Sequence, residues 1–530
     1  MIRNFGNCRA NVAVCGLKAI KGTLLAAGAG LLTVASAQAA DLPVKAAPVE
    51  YVKVCGLYGA GFFYIPGTDT CLKVGGYLRT DHVYGQGAGG FYQSNTQAQY
   101  TRLATNEYSY RARINLTTDF RTQSDYGTIR AYAAIIGQQT DTDATANGSA
   151  GILRAFIQFA GFTVGHAVSY FDFMNGADYG YIFPPTAQST GVNGIDLLAY
   201  TWQIGNGFSA SIDIEDGTVG RGRVVINTSV PSSLGTAGAA GTGTVITNDA
   251  VRLMQPDLVG NLRVDQAWGS AQIMAALHSA SGGYNSNFPG VAGLGVNGPA
   301  AIFTPGNQVF GHPGETFGYA VGGGAKLINF LQPRDQIEFE ADYCHGAIGY
   351  CQALGFYTNN WLYGSGNTLA IGYATDGVFN NGGQIELTDS ARWEAGYQHY
   401  WNRQWRTALY TGQIYTWYNA NAQSQLCGTA PGSLPFAGAG GTGIFGSVAA
   451  VVNLQCSPNW SESIVGTRTA WNPHPFLEIG LEVQWAHLQS AFGGSQLTLA
   501  GNGARPFGNY QITNQDIYLL ALRFQKNILP

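Results

Sequence analysis

Polar and apolar residues alternate one by one along much of this chain. Between Glu107 and Arg121, the residues Tyr108, Tyr110, Ala112, Ile114, Leu116 and Phe120 fall at alternate positions. Glu107, Ser109, Arg111, Arg113, Asn115, Thr117, Asp119 and Arg121 lie between them. A period of two is that of a β-strand, whose successive side chains point to opposite faces. The pattern recurs. Leu72, Val74 and Leu78 alternate with Lys73, Tyr77 and Arg79, and Leu153, Ala155, Ile157 and Phe159 with Arg154 and Gln158. Ile337, Phe339, Ala341 and Tyr343 alternate with Gln336, Glu338, Glu340 and Asp342, and Leu477, Ile479, Leu481, Val483 and Trp485 with Glu478, Glu482 and Gln484. Near the end, Tyr518, Leu520, Leu522 and Phe524 share one face.

Counting these segments gives about sixteen strands. Their connections are tight and long by turns. Thr122 to Ser124, Gly161, Gly205 to Gly207, Asn402 to Gln404 and Asn472 to Pro475 are tight. Gly85 to Thr105, Ser169 to Ile195, Ser281 to Glu315 and Asn419 to Pro458 are long. Short turns at one end and long loops at the other are the plan of a transmembrane antiparallel β-barrel, with the turns periplasmic and the loops outside. No fixed repeat supports a propeller or solenoid. The expected fold is therefore all-β: one barrel domain over 41–530, with 41–70 as a lead-in. The loop stretches Leu234 to Thr244 and Ala437 to Ala450 are close to low complexity and read as flexible or partly ordered outside segments.

Composition sharpens this. Only 11% of residues are charged, against about 25% in typical soluble proteins. Residues 1–40 carry Arg3, Arg9, Lys18 and Lys21, then a short apolar run from Thr23 to Val34, then Ala37-Gln38-Ala39. That is the form of a cleavable export signal, and the run falls short of the roughly 20 residues that span a bilayer as a helix. Without that segment the formal charge goes from −4 to about −8, and no basic run suggests nucleic-acid binding. No later stretch is apolar enough for a membrane helix, but a closed barrel crosses a membrane with every backbone group satisfied. After export six cysteines remain: Cys55, Cys71, Cys344, Cys351, Cys427 and Cys456. An even number fits disulfides in an oxidising compartment. The sequence leaves all pairings open. The sequential ones, Cys55 with Cys71, Cys344 with Cys351 and Cys427 with Cys456, are expected because each closes a local loop.

Three stretches resemble a known family. They are Glu50 to Cys55 with Tyr58 to Gly67 and Cys71 to Tyr77; Ala155 to Gly165 with Ser169 to Phe173; and Gly466 to Pro473. All are similar to the alphaproteobacterial general porins. The resemblance implies a 16-stranded homotrimeric barrel in the outer membrane, in contact with its lipid and lipopolysaccharide. It also implies a third outer loop, here Ser169 to Ile195, folded inward as a constriction. The chain departs from the family in its longer outer loops and in running past Phe524 to Pro530, where an aromatic residue is usually last.

In a barrel the polar face is the lumen. Alternation places Lys73, Arg79, Arg111, Arg113, Arg130 and Arg154 there, on the first four strands. The inward loop carries Asp172 and Asp178. Cations facing acids across a narrow gap would orient polar solutes and select ions; the plainer reading is that these charges solvate the lumen or pair locally. Other motifs carry less. The glycines at 85–90 and 293–298 match a dinucleotide pattern but do not join a strand to a helix. Asp141 and Asp143 sit in a loop loosely like a calcium site, without its turn glycine or closing Glu. No metal, cofactor or catalytic set stands out, and no Gly-x-Ser-x-Gly is present. The expected function is passive diffusion of small hydrophilic solutes and ions. A substrate-selective channel is the first alternative, and a surface adhesin or structural barrel the second.

Overall fold

The computed structural model describes residues 53–85, 107–140, 148–174, 178–182, 186, 190–191, 194–217, 221, 224–228, 250, 255–285, 311–352, 360–380, 382–427, 442–443, 446–499 and 506–528. The expected export signal at 1–40, Asp141, Asp143 and the 234–244 stretch lie outside the described residues.

Sixteen antiparallel strands close into one barrel. They are β1 (Cys71–Gly85), β2 (Tyr108–Ser124), β3 (Gly127–Thr140), β4 (Ser149–Phe159), β5 (Phe162–Ala167), β6 (Ile195–Gly205), β7 (Phe208–Glu215) and β8 (Asp257–Gln266). Then come β9 (Gly269–Ala280), β10 (Thr316–Ile328), β11 (Gln336–His345), β12 (Asp389–Tyr400), β13 (Trp405–Trp417), β14 (Trp460–His474), β15 (Leu477–Gln489) and β16 (Gln515–Asn527). Neighbours in sequence are neighbours in the sheet, and β16 pairs with β1 from Tyr77↔Asn527 to Gly85↔Leu519. Closure leaves no open edge, which a bilayer would not tolerate. The residues after Phe524 belong to this seam, since Gln525, Lys526 and Asn527 pair with both β1 and the preceding turn.

Alternation decides which face meets lipid. Ile114 (46% exposed), Leu481 (48%) and Tyr518 point outward, while Asn115, Glu482 and Leu519 are buried on the inner side. One expected position moves. A β-bulge skips Leu153 where β4 pairs with β3, so Ile152 turns outward in its place, and Arg154 stays on the inner face. Trp202, Trp268, Trp401, Trp405 and Trp471 are exposed near the short turns, and Tyr84, Tyr108, Phe317, Tyr319 and Tyr415 near the loops. These are the two aromatic girdles of a barrel set in a membrane. Two tight turns use Ala160-Gly161 (φ 50° and 90°) and Asn206-Gly207 (φ 52° and 78°). Both central residues have positive φ, the backbone that matches the twist of a two-residue hairpin. Arg at the bilayer midplane costs about 2–4 kcal/mol in such barrels. Leu481→Arg should therefore lower refolding stability by that order, while Leu481→Ile should be nearly neutral. Equal urea midpoints for the two variants would contradict the assigned face.

The outer loops are partly folded. Strands at 360–365 and 368–373 of the sixth loop, 508–512 and 496–499 of the eighth, and 446–453 and 442–443 of the seventh make one six-stranded sheet. The 437–450 stretch, read as flexible or partly ordered, is thus ordered in part, since the strand at 446–453 pairs with 496–499. A three-stranded sheet joins 225–227 of the fourth loop to 377–379 and 386–387 of the sixth. Ile371, Tyr373, Phe492, Leu497 and Ile512 pack in one apolar cluster with the inner-wall residues Ile464 and Leu488 and with Phe171 and Met174 of the third loop. Cys344–Cys351 and Cys427–Cys456 bridge within these loops, and Cys55–Cys71 ties the lead-in to β1.

Candidate functional site

The third outer loop leaves β5 after Ala167 and enters β6 at Ile195. In between it folds into the barrel and lies along the wall from β8 to β16, where Arg523 donates to the Tyr181 carbonyl (3.4 Å) and Val83 of β1 joins Tyr181 and Ile182 in one apolar cluster. Inward-facing glycines make room for it. A Cβ at Gly396 would meet the Tyr179 ring at 2.5 Å, one at Gly412 would meet Thr186 Oγ1 at 2.6 Å, and ones at Gly324 and Gly480 would strike Phe173 and Tyr181. The wall also holds the loop by its backbone. Met174 N–H donates to Glu340 (2.5 Å), and the N–H groups of Tyr181 and Ile182 donate to Glu482. The Tyr179 hydroxyl donates to Glu338 (3.1 Å) and the Tyr181 hydroxyl to Glu478 (2.7 Å). In the other direction Arg468 donates to the carbonyl of Asp178 (3.0 Å), Arg392 to that of Thr186 (3.2 Å) and Asn261 to that of Tyr170 (2.7 Å). Hydrogen bonds with one charged partner contribute about 1.5–3 kcal/mol each, so the loop is fixed rather than draped. The acidic residues of this wall are used in holding it. Glu338, Glu340 and Glu482 are buried beneath the loop.

The wall that continues past the loop, β16 to β3, is basic. Asp81 of β1 accepts from Arg111 of β2 (2.7 Å) and from Arg523 of β16 (2.5 Å). Beside them Arg79 donates to Gln525 (2.8 Å) and lies 4.2 Å from the Tyr77 ring, and Arg113 donates to Gln138. Among the described residues neither Arg79 nor Arg113 has a carboxylate within ion-pair distance. Four guanidiniums thus surround one carboxylate. Sequence reasoning missed Arg523 and Asp81, although the same alternation would have found them. Arg523 lies between outward Leu522 and Phe524, and Asp81 shares the parity of Arg79.

The other expected residues go elsewhere. Lys73 and Arg130 lie lower on the same wall, with Arg121, around Asp119. Arg154 donates to the carbonyls of Leu153, Thr190 and Gly191, so it anchors the end of the third loop. The charge of Asp172 reaches Arg154, but its ion pair lies elsewhere. It is bound to Arg221 of the fourth loop (2.8 Å), with side-chain exposures of 4% and 0%. It also accepts from the backbone and hydroxyl of Thr190 (both 2.6 Å). The physical reason is that Asp172 stands at the loop's base, where it is covered by the fourth and sixth loops. Asp178 is exposed on the loop's inner stretch.

A closed barrel with aromatic girdles, an inward-folded loop and a basic wall beside it define an outer-membrane pore. Comparison with known proteins agrees. The chain matches the Porin subfamily over residues 41–519. The porin Omp2b of Brucella neotomae is 32% identical over 328 residues, 58% of this chain and 81% of that protein. The porin Omp2b of Brucella suis biovar 1 is 32% identical over 270 residues, 49% of this chain and 66% of that one. The outer membrane channel DcaP of Acinetobacter baumannii shares the fold, with a TM-score of 0.52 at 12% identity, over 88% of this chain and 99% of that one. The chain belongs to the porin subfamily and is an outer-membrane porin channel.

Proposed function

We propose that this porin admits small hydrophilic solutes by passive diffusion, favours anions over cations, and carries out no chemical step. It works as a homotrimer in contact with outer-membrane lipid and lipopolysaccharide, after removal of residues 1–40 as an export signal. One observation carries the ion preference. The carboxylates of the loop-bearing wall are covered by the third loop, whose N–H groups they accept, whereas Arg79 and Arg113 stay half-buried with neutral partners. Asp178 is exposed on the loop, so the balance at this level is Arg79 and Arg113 against that one carboxylate, and among the described residues free positive charge exceeds negative. Such a field is the usual basis of pore selectivity. Purified protein in planar bilayers should give stepwise conductance, and a KCl gradient should give a reversal potential on the anion side. A folded protein that inserts but never conducts would overturn the channel reading and favour a surface adhesin.

A further inference from the structure

The basic wall has a second cluster nearer the periplasmic end. Asp119 of β2 accepts from Arg121 (2.8 Å) and from Arg130 of β3 (3.1 Å), repeating the plan of Asp81 between its two arginines. Lys73 is the cross-strand partner of Asp119 and has no carboxylate within ion-pair distance among the described residues. Two arginines thus share one anion, with Lys73 beside them on the neighbouring strand. Lys73 and Asp81 are eight residues apart on β1, roughly 27 Å at the rise of an extended strand. A solute that has cleared the first cluster meets this one separately, on its way out.

This second cluster differs in what surrounds it. The guanidiniums of Arg121 and Arg130 are both 28% exposed, so the lumen reaches them, whereas Arg111 is nearly buried. Tyr132 and Phe156 stack with centroids 5.3 Å apart, and Arg130 lies 5.0 Å and 5.4 Å from their rings. On the other side Arg121 lies 4.9 Å from Phe62 and 5.6 Å from Tyr58. Those two rings come from the lead-in segment, which Cys55–Cys71 staples to the wall. Guanidiniums flanked by aromatic faces suit a planar ligand with a carboxylate at its edge. Asp119 holds Nε and Nη2 of both arginines and Gln158 holds Nη1 of Arg130, so the ligand carboxylate takes Nη1 of Arg121 within the field of Arg130 and Lys73, and the ring takes an offset position on the aromatic side chains. A small aliphatic or inorganic anion uses only the charge.

We propose that this cluster is a binding station for small aromatic carboxylates at the periplasmic end of the pore. The inference rests on the channel reading above. The test is block of single-channel chloride current by benzoate, with cyclohexanecarboxylate as a non-planar anion of the same charge. Benzoate should reach half-block at a concentration roughly threefold lower, the scale of one aromatic contact beside a cation. Tyr132→Leu leaves every charge in place and should erase the difference. Arg130→Gln should weaken block by both anions. Migration as a folded, heat-modifiable species and the presence of conductance confirm that each variant is intact. If Tyr132→Leu does not assemble, Phe156→Leu replaces it. Equal half-block by the two anions in the unaltered protein overturns the proposal, as does benzoate block that survives Tyr132→Leu. Absence of any chloride current would instead be failure of the channel reading.

Discussion

Replacing Arg79 and Arg113 together by alanine shifts the zero-current potential of the channel toward cations, most strongly in dilute salt. These are the two arginines of the upper cluster that neutral oxygens hold, those of Gln525 and Gln138. The other two, Arg111 and Arg523, share Asp81 and are partly cancelled by it. Guanidinium groups stay charged at any physiological pH, so the effect persists across ordinary buffers. A charge at about 10 Å from an ion in water contributes roughly 0.4 kcal/mol. Two of them should change the partitioning of each ion by up to about fourfold, in opposite senses for anion and cation, and so the anion-to-cation permeability ratio on the order of tenfold at 10 mM salt, where screening reaches about 30 Å. The change should vanish near 1 M salt, where screening reaches about 3 Å. Barrel stability should hardly move, because lumen substitutions tune selectivity more than fold. Measurement of the reversal potential across a salt gradient decides the matter. An unaltered potential at 10 mM in a double variant that still conducts removes these residues from the selectivity region.

The second large effect is expected far from the basic wall. Arg221 is fully buried, bound to Asp172 and near Glu215, with its guanidinium 4.2 Å from the Tyr350 ring. Tyr350 itself sits in the short loop that Cys344–Cys351 closes. A chain of contacts thus runs from a disulfide through an aromatic ring and a buried cation to the base of the constriction loop. Removing one member of a buried ion pair costs about 3–5 kcal/mol, since the partner is left uncompensated. Arg221→Met should therefore lower the unfolding midpoint by that order and make the single-channel current noisy, as the 169–172 stretch loses its hold. Arg221→Met combined with Asp172→Asn should recover part of the stability, because the charge at Asp172 is gone while an acceptor for Thr190 stays, although Glu215 remains uncompensated. A quiet single variant with a normal midpoint would mean that the barrel wall alone fixes the loop.

Much of this was legible in the sequence. Strict alternation gave the strands, their faces and the position of the basic wall, since a period of two admits only one inner face. It could not tell Arg111 from Arg113, which look alike two residues apart. What separates them is the neighbour across the sheet, Asp81 for one and Gln138 for the other. Nor could it tell Asp172 from Asp178, because burial of the first depends on Arg221, a residue of another loop. The glycines at 396, 412 and 480 read as ordinary small residues. Their role appears only when a second segment of chain is laid against them. The strands within the outer loops were missed because they are short and lack a polar–apolar alternation, although several of them pair as hairpins within one loop.

That last feature bears on the order of assembly. The parallel contact in the loop sheet joins Thr368 and Leu369 to Gln511 and Ile512, about 140 residues further along the chain. Such a pairing carries a large loop-closure entropy unless something else has already brought the two ends together. Here the intervening strands β12 to β15 do so as they zip up in sequence. The roof over the mouth is then the last part to form. A chain caught midway through insertion has its hydrogen-bonded wall complete and its outer vestibule still open, so surface sites that the finished sheet hides are exposed for that interval alone.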